Sequence, residues 1–263
     1  MKKIFAAVLL AFSLCLTGPA SAQGTGTIVG HIKLTGNAPA NPLIRMGADP
    51  KCGAMNKGQR PVQNIVTVGT GGGLSNAFVH VTGALPASGG GAQQVVLDQK
   101  NCMYSPRVIG VRAGQPVSIR NDDDLMHNLH GLSTKGQGFN TSQPKAGMVY
   151  MATLKQEEVM LHLKCDVHAW MNAYIGVVPN SFYAVTDGAG AFTIANVPVG
   201  KRTVSVWHER YGVLTGTVDV KAGQQATLEL TYPGATATKT AAVREIVVPA
   251  DATEILINAS TSE

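Results

Sequence analysis

Between Thr25 and Tyr232 the chain is written in short alternating runs of apolar and polar residues, broken by glycine, proline or asparagine. Side chains of a strand point alternately to its two faces, so such a run buries one face and wets the other. It does not suit a helix, whose apolar positions recur about every 3.6 residues. Thr27–Leu34, Asn76–Thr82, Gln94–Leu97, Arg107–Arg112, Pro116–Arg120, Met126–Gly131, Gly147–Thr153, Glu158–Lys164 and Met171–Val178 read as strands. So do Phe182–Thr186, Ala191–Ile194, Arg202–His208, Val213–Val220 and Gln225–Tyr232, with Val62–Val68 a further candidate. Residues 40–60 are polar and irregular, Gly69–Gly73 reads as a turn or linker, and no segment carries a helical period. Many short strands between tight turns predict an all-β chain of sandwiches.

Two features place the chain outside the cytoplasm. Lys2 and Lys3, the apolar run Ile4–Leu16 and the small residues Ala20-Ser21-Ala22 have the order of a secretory signal, so residues 1–22 are expected to be cleaved and the remainder exported to a bacterial periplasm. No later segment is long and apolar enough to span a membrane. The formal net charge of +5 includes both leader lysines, and no basic tract supports nucleic-acid binding. The leader also takes Cys15, leaving Cys52, Cys102 and Cys165. An exported protein with an odd cysteine needs a use for it. A Cys52–Cys102 disulfide with Cys165 kept as a metal thiolate is the economical assignment.

Cys165-Asp166-Val167-His168-Ala169-Trp170-Met171 sets a thiol, an imidazole and a thioether at the spacing Cys-x2-His-x2-Met. With one more imidazole these are the donors of a blue-copper electron-transfer centre: thiolate and two imidazoles in a plane, and a weak axial thioether. Three donors come from one loop if Cys165 ends a strand, and the fourth must come from a neighbouring strand. Met126-His127-Asn128-Leu129-His130 supplies it. His127 and His130 are three apart and face opposite sides of a strand, so one of them is a ligand. Zinc is disfavoured because methionine is a poor zinc ligand. Asp122-Asp123-Asp124 reads as a solvated turn, and His31, His80, His162 and His208 as structural residues with satisfied rings. Met148 and Met151 do not extend into the methionine ladder of a copper carrier, and scattered aromatics do not form a carbohydrate platform.

Residues 93–178 resemble a cupredoxin of the plastocyanin, pseudoazurin and amicyanin type. The likeness is carried by Tyr104-Ser105-Pro106, Val111-Arg112-Ala113-Gly114-Gln115-Pro116-Val117, Asn121, His127-Asn128 and the loop Cys165-x2-His168-x2-Met171, whose short spacing is that of amicyanin. The resemblance implies one type 1 copper held by His127, Cys165, His168 and Met171, with the Asn128 amide donating to the Cys165 sulfur. It further implies electron exit through the edge of His168, with Ala169, Trp170 and Met126 as an apolar docking patch. The expected partner is a periplasmic redox protein, a c-type cytochrome or a copper oxidoreductase, and no catalysis by the chain itself is expected. Thr27–Leu34, Asn76–Thr82 and Thr186-Asp187-Gly188-Ala189-Gly190-Ala191-Phe192-Thr193-Ile194 with Val197-Pro198-Val199-Gly200 resemble a carboxypeptidase regulatory-like (transthyretin-like) sandwich. The resulting organisation is a signal peptide at 1–22, a regulatory-like sandwich from 23–91 with 180–233, a cupredoxin unit at 92–179 and a tail at 234–263. The functional expectation is a single-electron carrier. The alternatives are a periplasmic copper carrier or store, and a cell-envelope carbohydrate- or protein-binding module.

Overall fold

A computed structural model describes residues 24–86 and 94–234. The segment expected to be a signal peptide, the expected junction at Gly91 and the tail from residue 235 lie outside the described residues. The chain is all-β, with strands β1 (Thr25–Thr35), β2 (Phe78–Thr82), β3 (Val95–Lys100), β4 (Met103–Ser105), β5 (Val108–Arg112), β6 (Pro116–Asn121), β7 (His127–Leu132) and β8 (Phe139–Gln143). They continue with β9 (Val149–Thr153), β10 (Glu158–Lys164), β11 (Asn172–Val178), β12 (Tyr183–Val185), β13 (Ala191–Pro198), β14 (Gly200–His208), β15 (Gly212–Val220) and β16 (Gln225–Pro233). Among the described residues no helix is long and apolar enough to cross a membrane.

These strands form four sheets, ordered β13-β1-β16, β12-β2-β14-β15, β5-β11-β10-β7-β8 and β4-β3-β6-β9. Alternation along single strands explains how they stack. In β2, Val79 and Val81 enter one core with Ile28, Ile32, Val204 and Val206, joining the first two sheets as an outer sandwich. In β11, Ala173, Ile175 and Val177 enter another core with Leu97, Ile119, Leu129 and Leu163, joining the last two as an inner sandwich. The opposite faces of β2 and β11 meet: Phe78, Val108 and Val178 form a third cluster, with Tyr174, Tyr183 and Trp207 at its edge. Close approach here requires glycine. A Cβ on Gly110 would lie 2.4 Å from the Tyr183 ring, and one on Gly176 would lie 2.5 Å from the Phe78 ring. Arg107 Nε and Nη2 donate to the two carboxylate oxygens of Glu209 at 2.6 and 2.7 Å, clamping the sandwiches together at a largely buried position. Paired burial of this kind is what lets a charge sit between layers.

Two sequence expectations are corrected. Val62–Val68 is not a strand: it makes only isolated pairings, Val62 with Leu43 and Val68 with Leu74. The Asn41 side chain takes its backbone instead, accepting from the amides of Ile65 and Val66 at 3.1 and 2.9 Å and donating to the Val66 carbonyl at 2.8 Å. The irregular residues 40–60 contain a helix, α1 (Pro50–Met55). Proline leads it, and Asp49 caps it by accepting from the amides of Lys51 and Cys52 at 2.8 and 3.0 Å. Strands β4 and β8 also went unread. The first is very short, and Phe139-Asn-Thr-Ser-Gln143 is a polar edge strand with little apolar alternation.

Candidate metal centre

β10 lies between β11 and β7 in the inner sheet, so the loop leaving β10 for β11 passes beside the start of β7. Hydrogen bonds from Cys165 N to Met171 O (3.1 Å) and from Met171 N to His168 O (2.9 Å) close that loop into a compact turn. His127, Cys165, His168 and Met171 are each at most 2% exposed. The inner Nδ1 atoms of His127 and His168 are 3.1 Å apart, and the Cys165 sulfur is 3.7 Å from His168 Nδ1. Of the expected residues, the structure therefore gathers His127, Cys165 and His168 into one buried cluster and buries Met171 in the same core as Cys165. His130 lies outside this cluster, with Nδ1 2.9 Å from Asp166.

The cluster is held by a shell of hydrogen bonds. The Asn128 amide donates to the Cys165 sulfur at 3.4 Å, as the resemblance implied, and so does the His168 amide at 3.4 Å. Tyr104 donates to the Asn128 carbonyl at 2.6 Å, fixing the strand that carries this amide. Asp123 is a correction: it is 4% exposed rather than solvated. Its Oδ2 accepts from His127 Nε2 at 2.9 Å and from the Cys102 amide at 2.8 Å, while Oδ1 accepts from the Asn101 amide at 2.8 Å. The signal lay in the alternation, since Asn121, Asp123, Leu125 and His127 are all buried while Asp122, Asp124 and Met126 are exposed.

A second correction concerns the edge of His168. Its outer Nε2 is covered by α1, lying 3.4 Å from Asp49 Oδ2 and 3.6 Å from the Cys52 sulfur. The Cys52–Cys102 disulfide expected from the cysteine count is formed, and it ties α1 to the turn between β3 and β4. Both residues of that turn, Asn101 and Cys102, have positive φ, the geometry of a two-residue hairpin. Trp170 is packed rather than freely displayed, its ring centroid 5.2 Å from that of His168 and its Nε1 donating to the Cys102 carbonyl at 2.9 Å. Met126 is 46% exposed. Of the remaining histidines, His31 pairs with Glu229, His162 with Asn172, and His208 Nδ1 accepts from the Arg210 amide. His80 and His208 depart from the expectation of satisfied rings, because the buried Nδ1 of His80 and the buried Nε2 of His208 have no hydrogen-bond partner.

These contacts set the protonation states. Burial pushes the Cys165 thiol up, but hydrogen bonds from His127 and the amides of Asn128, His168 and Val167 outweigh it and hold the thiol below its ordinary value. Burial pushes His127 down, but its hydrogen bonds to Asp123 and Cys165 carry it above the usual imidazole range. Burial dominates at His168, which lies below that range despite the raising effect of Asp49. Asp123 holding the outer nitrogen of His127 leaves the inner nitrogen free to face the sulfur.

The donors fit a metal ion. With metal–nitrogen bonds of about 2.0 Å and metal–sulfur bonds of about 2.3 Å, donor pairs around one ion lie about 3.3–3.8 Å apart. The nitrogen pair at 3.1 Å and the sulfur–nitrogen pair at 3.7 Å are within a few tenths of that. Thiolate, two imidazoles and a neighbouring thioether suit copper better than zinc.

Against known proteins, no family model matches the chain, and no curated protein matches it. Among solved structures, a purple cupredoxin from Nitrosopumilus maritimus is 22% identical over 32% of this chain and 97% of its own, with a TM-score of 0.28. Amicyanin from Paracoccus versutus is 22% identical over 38% of this chain and 96% of its own, with a TM-score of 0.29.

Proposed function

We propose that the chain is an exported type 1 copper protein that carries single electrons between periplasmic redox partners. The observation that carries this reading is the buried Cys165 sulfur, its thiol held below its ordinary value, in one cluster with the inner nitrogens of two histidines. His127 Nδ1, Cys165 Sγ and His168 Nδ1 would hold the ion, together with the Met171 thioether. Copper, when bound, supplies one-electron cycling between its two oxidation states.

The chain's own residues supply the rest. The Asn128 and His168 amides withdraw charge from the sulfur, which favours the reduced state. Asp123 fixes the tautomer of His127 and makes its inner nitrogen a better donor. All of these groups are buried and hydrogen-bonded, so the ligand cage changes little between oxidation states. A cage closed in this way suits an electron carrier better than a copper chaperone, which must release its ion. It also leaves no open position for a substrate, so the chain is read as a carrier and not an enzyme. The partner is proposed to be a c-type cytochrome or a copper oxidoreductase. The outer sandwich is read as a regulatory-like module without chemistry of its own.

Loading the protein with Cu(II) and recording its visible spectrum beside Cys165→Ser tests the reading. An intense red-region band that ascorbate bleaches and the variant lacks is expected. Weak absorption in both proteins would rule out a thiolate–copper centre.

A further inference from the structure

Resting on the copper reading, we propose that residues 44–56 are a disulfide-clamped cap over His168, with Asp49 as its positioning residue, and that this cap limits how fast electrons leave the centre. The imidazole of His168 is 1% exposed, and what covers it is a segment foreign to the inner sandwich. Ile44, Met46 and Cys52 are buried in the same core as Cys165 and Met171, so the segment is anchored by apolar burial and not laid loosely across the surface. One covalent and two polar ties then fix it to the two turns flanking the site. The Cys52–Cys102 disulfide and the bond from Asn56 Nδ2 to Asn101 O (3.2 Å) hold the β3–β4 turn. Lys51 Nζ donates to Asp124 O at 2.7 Å on the approach to β7.

Asp49 joins the cap to the imidazole. One carboxylate oxygen holds the first turn of α1, and the other faces His168 Nε2 at 3.4 Å. The ring is gripped on its remaining sides by the Trp170 indole and by the Cys52 sulfur at 3.6 Å. Two consequences follow. His168 is kept from swinging off the ion when the oxidation state changes. A docking partner meets α1 and not the imidazole edge, and because electron tunnelling falls steeply with distance, that separation slows transfer. A carboxylate beside the outer nitrogen also makes His168 a stronger donor and favours the oxidised ion.

The test uses the full copper-loaded chain, with three readouts: the visible band, the reduction potential and the electron self-exchange rate measured by NMR line broadening of mixed oxidation states. Cys52→Ala with Cys102→Ala is expected to keep the band and raise self-exchange by about tenfold, equal to lowering the barrier by about 1.4 kcal/mol. Asp49→Asn still caps a helix, so α1 stays in place. It is expected to shift the potential upward, with Asp49→Glu returning part of the shift. An intact band with self-exchange and potential unchanged in these variants would overturn the cap and leave the copper centre standing. A colourless wild-type protein would overturn the copper reading and this inference with it. If the double-alanine protein does not fold, the potential of Asp49→Asn decides alone.

Discussion

Asp123 shows how one residue can tie a turn to a ligand. Its carboxylate holds the amides of Asn101 and Cys102 and the outer nitrogen of His127. Burial alone would raise its pKa, but those hydrogen bonds prevail and keep it below the usual carboxylate range. Asp123→Asn is therefore expected to weaken copper binding by about 10–100-fold, the usual cost of losing such a partner. His130→Ala is expected to leave binding unchanged, because its ring pairs with Asp166 on the outer face. Competition titration against a chelator of known affinity measures both, and equal losses in the two variants would mean that the inward position of His127 does not define the site. At this scale the sequence was informative where chemistry and periodicity agreed. Cys165, His168 and Met171 share one spacing, and alternation separates His127 from His130. Asp123 escaped notice because three consecutive aspartates read as a solvated turn. Asp49 escaped because nothing local links it to a loop more than a hundred residues away.

Elements were legible in proportion to how much they rely on alternation. β1, β10 and β15 read directly from their patterns, because each buries one face along most of its length. The helix α1 has too few residues to show a helical period, and it owes its place to Asp49, Pro50 and the disulfide. Val62–Val68 has strand composition but no neighbour to complete a ladder, and Asn41 supplies the missing partners. Asn41→Ala would strand two amides that are held by one side-chain oxygen. Leaving buried donors unsatisfied costs about 1–3 kcal/mol. The variant is expected to lose that much stability in a denaturant titration of the apoprotein, with an unchanged copper spectrum after loading. A loss below about 0.5 kcal/mol would mean that water replaces Asn41 at no cost.

On the scale of the whole molecule, the stacking of four sheets places the second sheet between two apolar layers, and this has a consequence for acid stability. β2 and β14 are buried on both faces, and each carries a histidine, His80 and His208. Burial pushes both down to about 4, and at His208 the nearby Glu209 and Arg107 act in opposite directions. His208 also uses Nδ1 as an acceptor for the Arg210 amide, which requires that nitrogen to be unprotonated. In the unfolded chain both rings titrate near their ordinary value of about 6.5. Between pH 6.5 and 4 the unfolded state therefore binds more protons than the folded one, and stability falls as pH falls through that window. The contribution is fully present above 6.5 and does not decline further once both states are protonated below about 4. Each histidine can contribute a slope of up to about 1.4 kcal/mol per pH unit. Denaturant midpoints at pH 7, 5.5 and 4.5 should accordingly fall steeply for the wild type and more gently for His80→Phe with His208→Phe, with both proteins in the same metal state so that the copper ligands cancel. Parallel pH profiles for the two proteins would place the acid sensitivity elsewhere and remove these histidines from the account.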